Sequence, residues 1–458
     1  MPGEGPPIMR LTRREWMLGS AALLGGLPSV ETIASEPGTV AWGQFRGPGG
    51  QGQCVGGDPP TTWTDTENVA WKVPIPGKGW SSPVIGGESL WLTTATQSGR
   101  SLRAVCIDAN TGKLRFLTPE LFQVDPRAKG LAKAGQAAPT PILTADCVFV
   151  HFGAFGTACL DHSGAVLWKR EIPYYHHHGP GSSPQLVDDV LVIACDGFTG
   201  PFFDTVEREG VESPQFVIGL DAATGEIRWQ TRREGKHSYA TPLVIELDGQ
   251  KQVVAPGGDG VWAYDPDTGA ELWHYPFVGH SVVPRPLWVD GRLLVCTGYH
   301  EASLLALDPQ DLSAERQPRL LWKVSRGVPF VPSPVVVEDL VYLVTDDGIV
   351  SALEIATGKL KWKQRLGGAF SASPIACGKR LYLASESGTT HVLRAGPAFR
   401  RLAENVLPGQ ILATPAISGR RMYLRTETHL YCVAQTEPGA PAGADTVRLT
   451  ADEVENPR

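Results

Sequence analysis

Apolar and polar positions alternate in short runs along the chain, four runs at a time, and the group of four returns again and again. Each group opens with a Ser/Thr-Pro dipeptide leading an apolar strand: SSPVI at 81, PTPIL at 139, SSPQLV at 182, ATPLVI at 240, PSPVVV at 332, ASPIA at 372 and ATPAI at 413. PRPLWV at 284 is an eighth copy, with Arg285 in the Ser/Thr place. Each group closes on an Asp, a Thr-Gly turn and an aromatic residue, as in LDAATGEIRW ending at Trp229 and YDPDTGAELW ending at Trp273. Four alternating strands repeated every ~40 to 60 residues predict an all-β fold, a β-propeller of four-stranded antiparallel blades.

The ends of the chain fix the count. After ATPAI the last group supplies only RMYLR and HLYCVA, so its outer strand is missing, while ENVAWKVPI near the start has the outer-strand pattern with no inner strand before it. Pairing the two closes the ring and leaves no unpaired edge there. The outer aromatic positions are then Trp71, Phe116, Trp168, Trp229, Trp273, Trp322 and Trp362, with Leu402 in the eighth. Eight blades result.

The Asp-x-x-Thr-Gly-x-x-x-Trp turn resembles the repeat of the pyrroloquinoline quinone (PQQ)-like propellers, over about residues 63–436. That group includes quinoprotein alcohol dehydrogenases and BamB-like outer-membrane assembly lipoproteins, so the resemblance implies a fold more than an activity. Its dehydrogenases carry two adjacent cysteines beside the quinone, and some a C-x-x-C-H haem motif; neither motif occurs here. PQQ with calcium is thus an open cofactor reading and not a firm one. The lipobox cysteine expected of a BamB-like lipoprotein is also missing from the N-terminal region.

Outside the repeats, LTRREWMLGSAALLGGLP carries Arg13 and Arg14 before an apolar run from Met17 to Leu27. A run this short does not reach the ~20 residues that span a bilayer. Residues 1–34 resemble a twin-arginine export signal with cleavage near Ala34, which predicts a periplasmic or secreted protein without a transmembrane anchor. The Gly/Pro-rich extension 35–62 is expected to drape over the propeller with Trp42 and Phe45 as anchors, and 437–458 reads as a disordered acidic tail. The net charge of -7, with no basic stripe, disfavours nucleic acid as a partner. We expect a monomer.

Eight cysteines in an exported chain invite a disulfide reading. Aligning the blades weakens it, because Cys106, Cys159 and Cys432 share a third-strand column with Gly219, Ala263, Ala306, Ala352 and Val392. Buried free thiols in a small-residue column are the expectation, with Cys147 and Cys159 the pair best placed for a bridge.

The Asp and Thr of the repeated turns brace those turns, so function is sought on the opposite face. Two insertions fall there, 117–136 and 196–216, the second with Phe198, Phe202, Phe203 and Phe216. His178, Lys236 and His280 each stand six residues before the strand proline in blades three to five, and Trp80 and Tyr239 stand three before it. Loops between second and third strands add Asp196, Asp259, Tyr299, His300, Glu301, Asp346, Glu386 and Glu427 to the same rim. Arg285 should point toward the central channel or into its wall and needs a carboxylate, channel water or an anionic ligand as partner; a salt bridge to a rim residue such as Asp259 fits. In YYHHHGPGSSP, neighbouring histidines of an extended loop face opposite ways, so His176, His177 and His178 do not ligate one ion together.

The residues favour a noncatalytic binding or scaffolding module whose anionic, carbohydrate or protein partner sits at the channel mouth. The alternatives are a PQQ-dependent oxidoreductase and a carbohydrate-active hydrolase or lyase using rim carboxylates and histidines.

Overall fold

The computed structural model describes residues 40–124, 133, 135–174, 176, 178–197, 215–299 and 301–436. Each alternating run within them is a strand, and the strands form eight antiparallel sheets arranged as a propeller, with no α-helix among the described residues. Blade 3 shows the order: Gln185–Val187 lies innermost, followed outwards by Val190–Cys195, Gln215–Asp221 and Ile227–Arg233. The ring closes through Val69–Pro74, which pairs with His429–Val433 and sets Trp71 opposite Cys432. A strand from the start of the chain thus completes the last blade.

The closing motif of each group has a mechanical explanation. Asp108 Oδ1 accepts the N–H groups of Asn110 and Thr111 at 3.1 and 2.9 Å and the Thr111 hydroxyl at 2.9 Å, and Asp221 and Asp265 repeat the pattern. The outer tryptophan then reaches the turn of the next blade: the indole N–H of Trp168 donates to Ala222 O at 2.9 Å, and that of Trp229 to Pro266 O at 2.8 Å. Beneath the ring only glycine fits. A Cβ on Gly225, whose φ is +71°, would stand 2.4 Å from the Trp168 ring.

The third-strand column of small residues faces these same tryptophans. Cys159 lies opposite Trp168, Gly219 opposite Trp229 and Ala263 opposite Trp273, each followed by a register shift. The column is small because an indole crosses it within the blade, a closer constraint than packing between blades.

The N-terminal extension does more than drape. Val40–Trp42 adds to the inner strand of blade 1, with Trp42 opposite Ile85, and the chain then turns into the central channel. It returns along blade 7, where Cys54 N–H donates to Ala376 O at 2.9 Å and Ala376 N–H to Gly52 O at 2.7 Å. Trp42 is fully buried. Residues 43–53 therefore fill the channel from the face that carries the Thr-Gly turns.

A disulfide fastens this return, joining Cys54 to Cys377 on blade 7, whereas the third-strand thiols Cys106, Cys159 and Cys432 are free and buried as expected. Cys147 and Cys159 are free. The bridging partner of Cys54 lies 323 residues away, beyond the reach of any comparison between neighbouring strands.

Candidate functional site

The Ser/Thr before each strand proline faces the channel, and these hydroxyls tie blade to blade. Ser82 N–H donates to Thr140 Oγ1 at 3.0 Å, Thr140 N–H to Ser183 Oγ at 2.9 Å and Ser183 N–H to Thr241 Oγ1 at 3.0 Å. The series resumes at Arg285 N–H, which donates to Ser333 Oγ at 3.0 Å, and continues through Ser373 to Thr414. It breaks between Thr241 and Arg285 because arginine brings no hydroxyl.

Two tiers of side chains above the plug form a funnel on the loop-bearing face. The lower tier is the set of seven hydroxyls, from Ser82 to Thr414, with Phe45 of the plug as the floor. The upper tier takes one residue from each blade, always three before the proline: Trp80, Ala138, Gly181, Tyr239, Val283, Val331, Ser371 and Leu412. The cavity has a volume of about 90 Å³, and no charged side chain among the described residues lines it.

Arg285 is absent from that lining because its side chain runs into the channel wall. Its Nη1 donates to Phe45 O at 2.7 Å and its Nη2 to Gln185 Oε1, so the expected salt bridge to Asp259 is not formed. Position decides this: the residue before the proline points inward, away from the rim where Asp259 sits. Gly50 packs so closely that a Cβ there would lie 1.9 Å from Arg285 Nη1. Beside it, Arg46 of the plug donates to Ser333 O, Pro374 O and Pro334 O. Burial pushes both guanidiniums down to about 9, and for Arg46 the charge of Arg285 adds to the effect. Neutral carbonyl dipoles stand in for the missing carboxylates.

Above the funnel, blades 4 to 6 carry a continuous arc of rings. His237 packs edge-on against Tyr239 with centroids 5.6 Å apart and against His280 at 6.1 Å; His280 meets Tyr299 at 6.0 Å. Tyr299 stacks on Phe330 at 4.4 Å. Lys236 crosses from blade 4 to blade 5, its Nζ donating to Gly279 O at 3.2 Å, next to His280. His178, on blade 3, is exposed, whereas His176 is buried and accepts the Ala154 N–H at 3.3 Å.

The rim carboxylates are engaged with their own chain. Asp196 is buried against Arg233, with Oδ2 2.6 Å from Nη2, and is thereby withdrawn from the rim where it was expected. Asp259 Oδ1 accepts the Lys236 N–H at 3.1 Å, and Asp346 Oδ2 accepts the Phe330 N–H at 2.7 Å. Burial raises the Asp346 carboxyl above its usual range. Glu386 on blade 7 accepts from Ser371 at 2.6 Å and from Lys133 at 2.7 Å, so one residue of the 117–136 insertion reaches blade 7. Glu427 and Glu301 are exposed. His177, His300 and most of the two insertions, including Phe198, Phe202 and Phe203, lie outside the described residues.

The sequence pattern points to the upper tier through Trp80 and Tyr239 and names Phe45 as an anchor of the extension without placing it in the channel, but it passes over Gln185, His237, Ser281 and Phe330. A register count would have found two of them, since His237 and Ser281 both stand five residues before a strand proline. Phe45 lies in a segment without periodicity.

A quinone bearing three carboxylates does not fit the funnel as it is lined. Among the described residues no cation faces the cavity, and Arg46 and Arg285 are spent on carbonyls below Phe45. Among the described residues no group of three His, Cys, Asp or Glu is gathered to hold a metal ion.

These features define the class: the protein is an eight-bladed β-propeller built from PQQ-like repeats. The family model described as outer membrane protein assembly factor BamB matches residues 213–315 and 312–396. The crystal structure of BamB from Moraxella catarrhalis is similar at TM-score 0.56 and 15% identity, covering 80% of this chain and 98% of that one. Quinohemoprotein alcohol dehydrogenase from Comamonas testosteroni is similar at TM-score 0.60 and 12% identity, covering 89% and 82%. A europium-containing methanol dehydrogenase matches at TM-score 0.57 and 13% identity, over 86% and 90%. No curated protein matches the sequence.

Proposed function

We propose that the protein is an exported, monomeric binding module whose partner, a protein, seats on the loop-bearing face. One observation carries this reading: residues 43–53 of the chain itself fill the channel from the opposite face. What remains for a partner is a shallow funnel surrounded by the non-repeating side chains of blades 3 to 6. Val278, beside the ring arc, is 84% exposed, which offers apolar surface outside the funnel. The match to an assembly-factor model supports a protein partner. Export through residues 1–34 is supported by the Cys54–Cys377 bridge, since disulfides persist in oxidising compartments.

A glycosidase-like reading draws less support, because Asp196, Asp259, Asp346 and Glu386 each already bond to the chain.

A photo-crosslinking residue at Val278, compared with one at Asn110 in a Thr-Gly turn, tests the proposal in the exporting cell. A defined adduct from Val278 alone supports it; equal adducts at both sites, or none, sink it. Calorimetric titration with neutral and acidic oligosaccharides, repeated with Tyr239→Ala and Lys236→Ala, separates a small ligand from a protein. A melting shift with PQQ and calcium would instead favour the quinoprotein reading.

A further inference from the structure

Five residues before the strand proline, blades 4 and 5 carry His237 and Ser281, and the two side chains meet. Ser281 Oγ lies 2.6 Å from His237 Nε2, while the Ser281 N–H donates to His237 O at 3.0 Å. The backbone of Ser281 has φ +50°, a left-handed conformation that serine seldom adopts and that the surrounding contacts must enforce. Six of the seven hydroxyls of the lower tier, Thr140 to Thr414, accept a backbone N–H and fasten neighbouring blades; that of Ser281 faces an imidazole at half-exposed depth. Two residues further along the same two segments, Tyr239 and Val283 enter the funnel wall. The pair therefore stands at the lip of a cavity.

We propose that Ser281 is a nucleophile activated by His237, and that the pair cleaves short, uncharged esters. His237 Nε2 takes the hydroxyl proton as Oγ bonds to the ester carbonyl carbon, and the carbonyl π pair moves onto oxygen. Collapse of this adduct expels the alkoxide, which leaves with the proton held by His237. Water then attacks the acylated Ser281, giving its proton to His237, and His237 returns that proton to Oγ as the Oγ–acyl bond breaks, releasing the acid and the free serine. The substrate class follows from the funnel, which has a volume of about 90 Å³ and no charged lining among the described residues. Such a cavity admits an acyl chain of a few carbon atoms and offers a carboxylate no partner.

The test uses the full chain and an alkyl fluorophosphonate, with the adduct located by mass spectrometry. The expected result is one adduct on Ser281 of the folded wild-type protein and none at that position in Ser281→Ala. In His237→Gln the labelling rate should fall by about 10²-fold or more, with release of 4-nitrophenol from its butyrate ester falling in parallel. Absence of an adduct on wild-type Ser281 overturns the proposal, whatever the variants do. So does labelling at an unchanged rate in His237→Gln. Either result leaves the partner-binding reading untouched.

Discussion

Arg285 donates to the carbonyl oxygen of Phe45 at 2.7 Å, so the channel wall holds the segment that fills the channel. Replacing Arg285 by Met should strand the buried Phe45 carbonyl and the Gln185 amide, at a cost of about 1–3 kcal/mol. We expect a lower urea midpoint and faster proteolysis within residues 43–53. Gly50→Ala should do the same from the plug side, since its Cβ would collide with the guanidinium. Unchanged protease resistance in both variants would contradict this account of the plug.

The Cys54–Cys377 bridge closes a very long loop, and its loss should lower stability by about 2–5 kcal/mol. Wild-type protein under dithiothreitol and the double variant Cys54→Ser/Cys377→Ser should show the same reduced denaturation midpoint. A reductant effect that persists in the double variant would assign the loss to another bond.

Gly225→Ala should destabilise strongly. Its left-handed φ of +71° and a Cβ 2.4 Å from the Trp168 ring act together, and a cost of ~2 kcal/mol or more is expected. Trp168 fluorescence should shift as the indole is displaced, whereas Gly249→Ala, with open space around its Cβ, should leave that fluorescence unchanged.

His151 and His176 are enclosed, and burial holds both imidazoles down to about 3, against 6.5 when unfolded. The sign is fixed by proton counting: below 6.5 the unfolded chain takes up protons that the folded chain refuses, so stability is full above that pH and lost as pH falls toward 3. Two such groups give a slope of up to about 2.7 kcal/mol per pH unit. Urea midpoints at pH 7, 6 and 5 should fall accordingly. His151→Gln should flatten the dependence by up to about 1.4 kcal/mol per pH unit over that interval, and an unflattened curve would remove His151 from the account.

The propeller is legible in the sequence because each device that builds it is local. The Asp108–Thr111 turn is braced within four residues, and the Trp168 indole meets a turn whose Gly225 is marked by the same repeat. Trp80 and Tyr239 could be placed on one tier because both are counted from a strand proline. The direction of Arg285 was legible for the same reason. Its partner was not, since Phe45 stands 240 residues away in a segment with no repeat to align. The same distance hid the partner of Cys54. Asp196 was assigned to the rim by loop position, but Arg233 on the outermost strand of its blade draws it inside. Nothing in the alternation of a single blade announces that cross-sheet pairing.

Eight similar blades could in principle receive the N-terminal segment in eight rotational settings. Arg285, at the break in the hydroxyl ring, helps remove that ambiguity, because among the described residues it is the one wall side chain that donates to the Phe45 carbonyl. One arginine acts as the keyway of the disc. It sets the angle at which the inserted segment seats, and so which part of the loop-bearing face lies above each part of the plug.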